Sequence, residues 1–503
     1  MSVSCFTTIL VEVRIIKALN HLTEGPILKS LLAMSLPIVF ANVLQSAYQL
    51  VDAFWVGRIG AEAVAAVSLS FPVMFLMIAF GGGLAIAGTI LVAQYKGKGD
   101  QAQVDHIAAQ TLATMTLISV SVSVVGYVLA PTLMVLMGAQ AGVLPGAVAY
   151  LQISFLGLVF LFGFFIFQSL MRGIGDVKTP LYIVLGTVLL NLVLDPLFIL
   201  GYGPIPSFGV AGAALATVGT QGLAAVVGVY LLFSGRYGIH LKPQNLMLDF
   251  PLIRKMFWLG FPSSIDQSTR ALGLMVMTFL AASYGTLIIA AYGIGSRILS
   301  FIIIPALGLS MATSALVGQN IGAGKVDRAE KIAQMSVILA FSVLTFVGIL
   351  LFVFARPLAA AFIPNDPAVI KQSAAFTRTM ALAFGFLGVQ QTLSGVFMGS
   401  GNTRTSMSIT IISLWLLQVP LAYGLSRHTD LAATGIWWAF PISNVVTAFI
   451  AWGVYSKGNW KQRKITEEFT PSRIPREANN GETSIEHLNG NVSGDTPSRA
   501  IKR

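Results

Sequence analysis

The sequence predicts an all-α polytopic membrane protein: twelve transmembrane helices in two six-helix bundles, related by a pseudo-twofold axis along the membrane normal. Three observations predict it. Of 503 residues, 55% are hydrophobic and only 10% charged, with a mean hydropathy of +0.79, whereas soluble domains carry about 25% charge. The low-charge stretch from Lys29 to Lys457 divides into apolar runs that meet the roughly 20 residues a helical span requires. The chain also matches itself at an offset of 225 residues.

Charged or Gly/Pro-rich breaks bound each run. The first half gives spans at 30–56, 63–93, 106–130, 146–171, 179–201 and 209–233. The second gives 253–283, 286–317, 329–355, 372–398, 405–427 and 431–456. Lys29 and Arg58 bracket the first span, Lys96 to Asp105 separate the second from the third, and Arg172 and Lys178 separate the fourth from the fifth. Arg254 and Lys255 open the seventh, Lys325 to Lys331 divide the eighth from the ninth, and Arg404 precedes the eleventh. These segments far exceed the roughly ten-residue alternating strands of an outer-membrane barrel. Five regions follow: a cytoplasmic segment at 1–29, an N-terminal bundle at 30–234, a cytoplasmic linker at 235–252, a C-terminal bundle at 253–456 and a tail at 457–503. The tail's polar, aromatic-poor composition reads as disordered and cytoplasmic.

The self-match pairs Pro37 with Pro262, Gly60 with Gly285, Gln94 with Gln319, Gly97 with Gly322 and Gly99 with Gly324. Near offset 226 the loop GIGDVKT (173–179) meets GSGNTRT (399–405). This is an internal repeat. Each copy carries six spans, an even number, so both enter the membrane in the same direction, and transporters built this way place their substrate between the halves. A matched glycine by itself signals a tight turn or close helix packing; the repeat as a whole is the functional clue.

Lys and Arg set the orientation. Before the tail, fifteen gather on one side and four (Arg58, Arg356, Lys371 and Arg427) on the other, so both termini are expected in the cytoplasm. The same topology accounts for the net charge of +11, since no basic face interleaved with aromatics marks a nucleic-acid partner. The single cysteine, Cys5, excludes an intramolecular disulfide or a cysteine metal cluster. The first 25 residues have no recognisable cleaved signal peptide.

Acids inside a membrane are costly and usually functional. Three fall within spans: Asp52, Asp195 and Asp266. Spans 1 and 5 run in the same direction, which sets Asp52 and Asp195 at similar depth in the outer half, where they can face one cavity. Asn191 lies one helical turn before Asp195 on the same face. A carboxyl group held away from water takes a proton more readily, and the same oxygens suit sodium. Neither acid has an acidic repeat mate. In the second half Asp266 and Arg270 stand four residues apart and can neutralise each other, or form a second site for substrate or ion movement. There is no HExxH, no Walker-type phosphate loop and no Ser/His pair at a recognisable spacing within the membrane, so neither an enzyme nor an ATP-driven pump is expected.

The order and spacing of LPIVFANVLQSAYQLVDAFWVGRIG (36–60), LVAQYKGKGD (91–100), MRGIGDVKTP (171–180), LLNLVLDP (189–196) and GVAGAALAT (209–217) resemble the multidrug and toxic compound extrusion (MATE) family across 30–456. Within it the chain is similar to the DinF-like branch. The resemblance implies a cation or proton cluster of Asp52, Asn191 and Asp195, joined by Thr217 on span 6, and a bend of span 1 at Pro37. Where another branch carries an acid on span 7, this chain has Arg270, which argues against a coupling site in the second half.

The expected function is therefore secondary antiport across the inner (plasma) membrane. Amphipathic, often cationic compounds would leave in exchange for H+ or Na+, without a cofactor, through a monomer embedded in the bilayer. The alternatives are a lipid-linked saccharide flippase, whose cavity would carry several cations that the first half lacks, and a non-transporting receptor or scaffold.

Overall fold

A computed structural model describes residues 22–468, apart from Ile205, Pro364, Asn365 and Lys464. The first half folds as α1 (Ile27–Gly57), α2 (Ala61–Lys98), α3 (Gln101–Leu136), α4 (Leu144–Ile174), α5 (Lys178–Leu200) and α6 (Gly209–Ser234). The second folds as α7 (Phe250–Ala282), α8 (Thr286–Gly322), α9 (Val326–Phe362), α10 (Pro367–Ala381), α11 (Phe384–Gly399), α12 (Thr403–Arg427) and α13 (Ala433–Ser456). Ten of these helices, and the α10–α11 pair as an eleventh span, are long and apolar enough to cross a membrane. α7 has the length, 33 residues, but carries Arg254, Lys255, Asp266 and Arg270; it completes the twelve spans. In hydrocarbon every backbone polar group must be paired within its own segment, and helices do this.

The tenth span, read from sequence as one helix over 372–398, is bent by 54° between α10 and α11. The break falls at Leu382 and Ala383, where the Ala383 N–H reaches only the Met380 carbonyl, three residues back (3.1 Å). Beyond it Gly385 and Gly388 let α11 lie against Phe341, Thr345 and Leu344 of α9, where side chains would collide. α12 widens into a π turn over Ile412–Gln418, just before Pro420, which lacks the N–H an α turn would use.

The tail also differs from its reading as wholly disordered. Within 457–468 the chain packs: Trp460 is buried and stacks on Tyr455, Lys461 pairs with Glu330 at 2.7 Å, Arg463 donates to the Gly401 carbonyl at 2.6 Å, and Ile465 is fully buried. Two apolar side chains there find core to enter. Residues 469–503, and 1–21 at the other terminus, lie outside the described residues.

The repeat is visible as reciprocal contacts between the bundles. Gly97 of α2 presses on the Gln319 carbonyl of α8, and its repeat mate Gly322 presses on the Gln94 carbonyl of α2; a Cβ at either glycine would fall on that oxygen. Gly83 meets Ser264, and the mates Gly308 and Val39 meet likewise. Two equal surfaces related by a twofold make each contact twice. The turn glycines repeat too: Gly60 and Gly285 precede α2 and α8 with φ of +140° and +93°, a region open to glycine.

These contacts lie toward one end of the molecule, the basic end, where α1 begins and α2 finishes at Lys96 and Lys98. The Gln94 side chain donates to the Gly399 carbonyl at 3.0 Å, and the Gln319 side chain donates to the Gly173 carbonyl at 2.8 Å. Ser264 donates to the Phe80 carbonyl at 2.8 Å. Gln94, Gln319 and Ser264 thus tie the bundles together from the basic end to about the middle of α2, at Phe80.

Candidate functional site

The N-terminal bundle gathers its intramembrane acids toward the opposite end. α5 carries Asn191 and Asp195 on one face, and the Asn191 amide donates to Asp195 Oδ1 at 2.7 Å. Both residues are buried, at 1% and 0% exposure. Asp52 approaches from α1 and lies within electrostatic range of Asp195. Helix α6 closes the group, with Thr217 and Thr220 against the Tyr48 hydroxyl; Tyr48 and Thr220 are 3.5 Å apart. Tyr150 of α4 stands within electrostatic range of Tyr48, Asp52 and Asp195.

Three acceptor oxygens here receive no donor from the protein: Asp52 Oδ1, Asn191 Oδ1 and Asp195 Oδ2. A buried acceptor left unpaired costs about 1–3 kcal/mol, so an arrangement that keeps three together favours a species able to satisfy them. A proton on a carboxylate or a hard cation among the oxygens would do so. On the basic side of the cluster, Gln45, Tyr48, Thr187, Thr220 and Gln221 line a small cavity with space for about one water molecule.

The residues singled out by sequence thus fall in two places. Asp52, Asn191, Asp195 and Thr217 converge in the N-terminal bundle. Pro37 is on α1, which continues through it one hydrogen bond short, because proline offers no N–H to the Ala33 carbonyl. The sequence reading missed Tyr48, Tyr150 and Thr220. Tyr48 could have been found as the residue one turn before Asp52, and Thr220 as the hydroxyl three residues beyond Thr217 on α6.

Asp266 and Arg270 are in the other bundle and form an ion pair at 2.9 Å. Arg270 also donates to Gln391 at 2.9 Å and Thr410 at 3.0 Å, while Ser406 donates to Asp266 at 3.1 Å. Every oxygen of the Asp266 carboxylate is therefore paired, unlike those of Asp52 and Asp195. Arg270 keeps 28% of its side chain accessible, and three of its five N–H groups are committed.

A model of the MatE family matches residues 37–197 and 262–424, one stretch in each half. The chain is 29% identical to the probable multidrug resistance protein YoeA of Bacillus subtilis over 442 residues, covering 87% of this chain and 95% of that one. It is 28% identical to an FAD transporter of Shewanella oneidensis, covering 85% and 94%. A solved structure described as the outward-facing conformation of a multidrug resistance MATE family transporter of the MOP superfamily matches with a TM-score of 0.82 at 26% identity, over 89% of this chain and 99% of that one.

Proposed function

The chain belongs to the MatE family, and from that premise we propose that it is a multidrug efflux antiporter of the inner (plasma) membrane that exports amphipathic or cationic organic compounds in exchange for H+ or Na+. The observation that carries the coupling step is the buried Asn191–Asp195 pair beside Asp52, with three acceptor oxygens unsatisfied in a low-dielectric bundle. An inward-moving proton or sodium ion satisfies these oxygens. Its arrival and departure change how α1 and α5 pack, and the missing hydrogen bond at Pro37 gives α1 a place to bend. Substrate passes between the bundles, which hydrogen bonds tie together toward the basic end; with that end cytoplasmic, as the Lys and Arg count favours, this is an outward-facing arrangement. Both termini then lie in the cytoplasm, and one chain is the working unit.

Counterflow of a fluorescent organic cation in proteoliposomes, with pH and sodium gradients imposed separately, tests the proposal. Uptake driven by one gradient supports it; uptake indifferent to both removes the coupling. One observation favours a second reading of the substrate. Arg270 is a partly accessible guanidinium with N–H groups to spare, which suits an anionic group on the cargo, and one relative is named as an FAD transporter. The same vesicles loaded with a flavin dinucleotide decide between cationic and anionic cargo.

A further inference from the structure

At the basic end, α7 and α12 begin side by side and leave a pocket of about 720 Å³ lined by Pro251, Arg254, Lys255, Trp258, Leu259, Thr403, Arg404 and Arg463. Four of these eight residues are cationic and none is acidic. Asp249, which precedes α7, is engaged elsewhere: it caps the helix by accepting the Leu252 N–H and faces His106 of α3 at 3.4 Å. Among the described residues neither Arg254 nor Arg404 has a partner within ion-pair distance. The Arg463 guanidinium is fixed in the wall by its bond to the Gly401 carbonyl. α12 opens into the pocket with no side-chain cap on its first turn, and uncapped N–H groups at a helix start favour an anion.

The pocket also has a membrane-facing flank. Trp258 is 53% exposed and packs edge-on against Phe257 and Phe261, which stack on each other. Two turns before Phe257, Phe250 is exposed, and so is Met247 ahead of the helix. Exposed aromatics at the end of a transmembrane helix sit at the level of lipid headgroups, and basic pockets between such helices bind anionic headgroups.

We infer that this pocket binds the phosphate headgroup of an anionic phospholipid in the adjoining leaflet, with Arg254 and Arg404 as the principal contacts and the Trp258 cluster against the acyl chains. The site is distinct from the acid cluster and independent of which ion or cargo is moved. A soluble phosphate would share the charge recognition but make no use of the aromatic flank.

The test compares full-length protein with Arg254→Gln/Arg404→Gln and with Arg254→Lys/Arg404→Lys. Each is purified and presented with mixed micelles of phosphatidylcholine, phosphatidylglycerol or both, and retained lipid is counted by native mass spectrometry. Wild type is expected to retain phosphatidylglycerol in preference to phosphatidylcholine. The Gln pair is expected to lose about 25-fold of that preference, since each of the two cations near an anionic surface contributes about a fivefold factor. The Lys pair should keep most of it, and unchanged thermal unfolding in phosphatidylcholine alone shows that the Gln pair is folded. An undiminished preference in the Gln pair overturns the assignment. Inorganic phosphate added to the phosphatidylglycerol micelles is expected to leave the retained lipid unchanged, and its displacing phosphatidylglycerol at equal concentration overturns the lipid as the source.

Discussion

Gln94 of α2 and Gln319 of α8 close the basic end by the same hydrogen bond made twice: Gln94 reaches across to the Gly399 carbonyl and Gln319 to the Gly173 carbonyl. The donors are repeat mates, and so are the acceptors. Beneath them Gly97 and Gly322 remove the side chains that would hold the bundles apart.

Opening that end must break both bonds. Interhelical hydrogen bonds in membranes contribute about 1 kcal/mol, so Gln94→Ala and Gln319→Ala should each shift the closed–open balance roughly fivefold toward open. Modification of a cysteine placed at Ser400, in a Cys5→Ser background, by a membrane-impermeant thiol reagent applied from that side measures the shift. Gly97→Ala and Gly322→Ala should act in the same direction more strongly, because the added methyl meets backbone. Unchanged modification rates in all four variants would remove the lock.

Coupling should depend on the first-half acids. Asp52→Asn and Asp195→Asn keep the shape but cannot cycle a proton or lend charge to sodium, so each should abolish gradient-driven efflux while leaving insertion and some substrate binding. Each charge moved gains about 2.3 kcal/mol per 100 mV, so wild-type efflux should collapse with the ion gradient. Tyr48→Phe loses the contacts of its hydroxyl with Thr217 and Thr220 and should slow efflux modestly. Full uphill efflux by both Asn variants would place coupling elsewhere.

The second-half pair should instead behave as structure. Arg270→Leu strands a fully buried Asp266 with Ser406 as its one remaining donor, a loss of about 3–5 kcal/mol for a buried pair broken on one side. Asp266→Asn should cost less, because Arg270 keeps Gln391, Thr410 and some access to solvent. Thermal unfolding in detergent ranks the two, and a double Asp266→Asn/Arg270→Gln variant should recover part of the loss. Asp266→Asn that unfolds normally yet loses coupling would make this acid functional.

Truncation separates the packed start of the tail from the rest. A chain ending at Phe469 should unfold and transport as the full chain does. One ending at Lys457 removes the buried Trp460 and Ile465, worth roughly 1.5–3 kcal/mol each in lost burial, and should unfold at lower temperature. Equal melting of the two truncations would show that these contacts contribute nothing.

The sequence by itself determined the twelve spans, the six-plus-six repeat and the places of Asp52, Asn191 and Asp195 along their helices. Hydropathy, repeat offset and helical period are properties of the chain read in one dimension. Four-residue spacing was enough to foresee the Asn191–Asp195 and Asp266–Arg270 contacts. Only the tertiary structure decided that Tyr48 meets Thr220, 172 residues away, that the tenth span breaks at Leu382 and Ala383, that Gln94 and Gln319 close one end, and that Trp460 and Ile465 enter the core. The reason is that lipid is as apolar as a protein interior. A transmembrane helix can therefore be apolar all round, and its composition does not say which face meets a neighbour and which meets the bilayer. That choice is made by small residues such as Gly97 and by single polar groups, whose partners are set by how the helices pack.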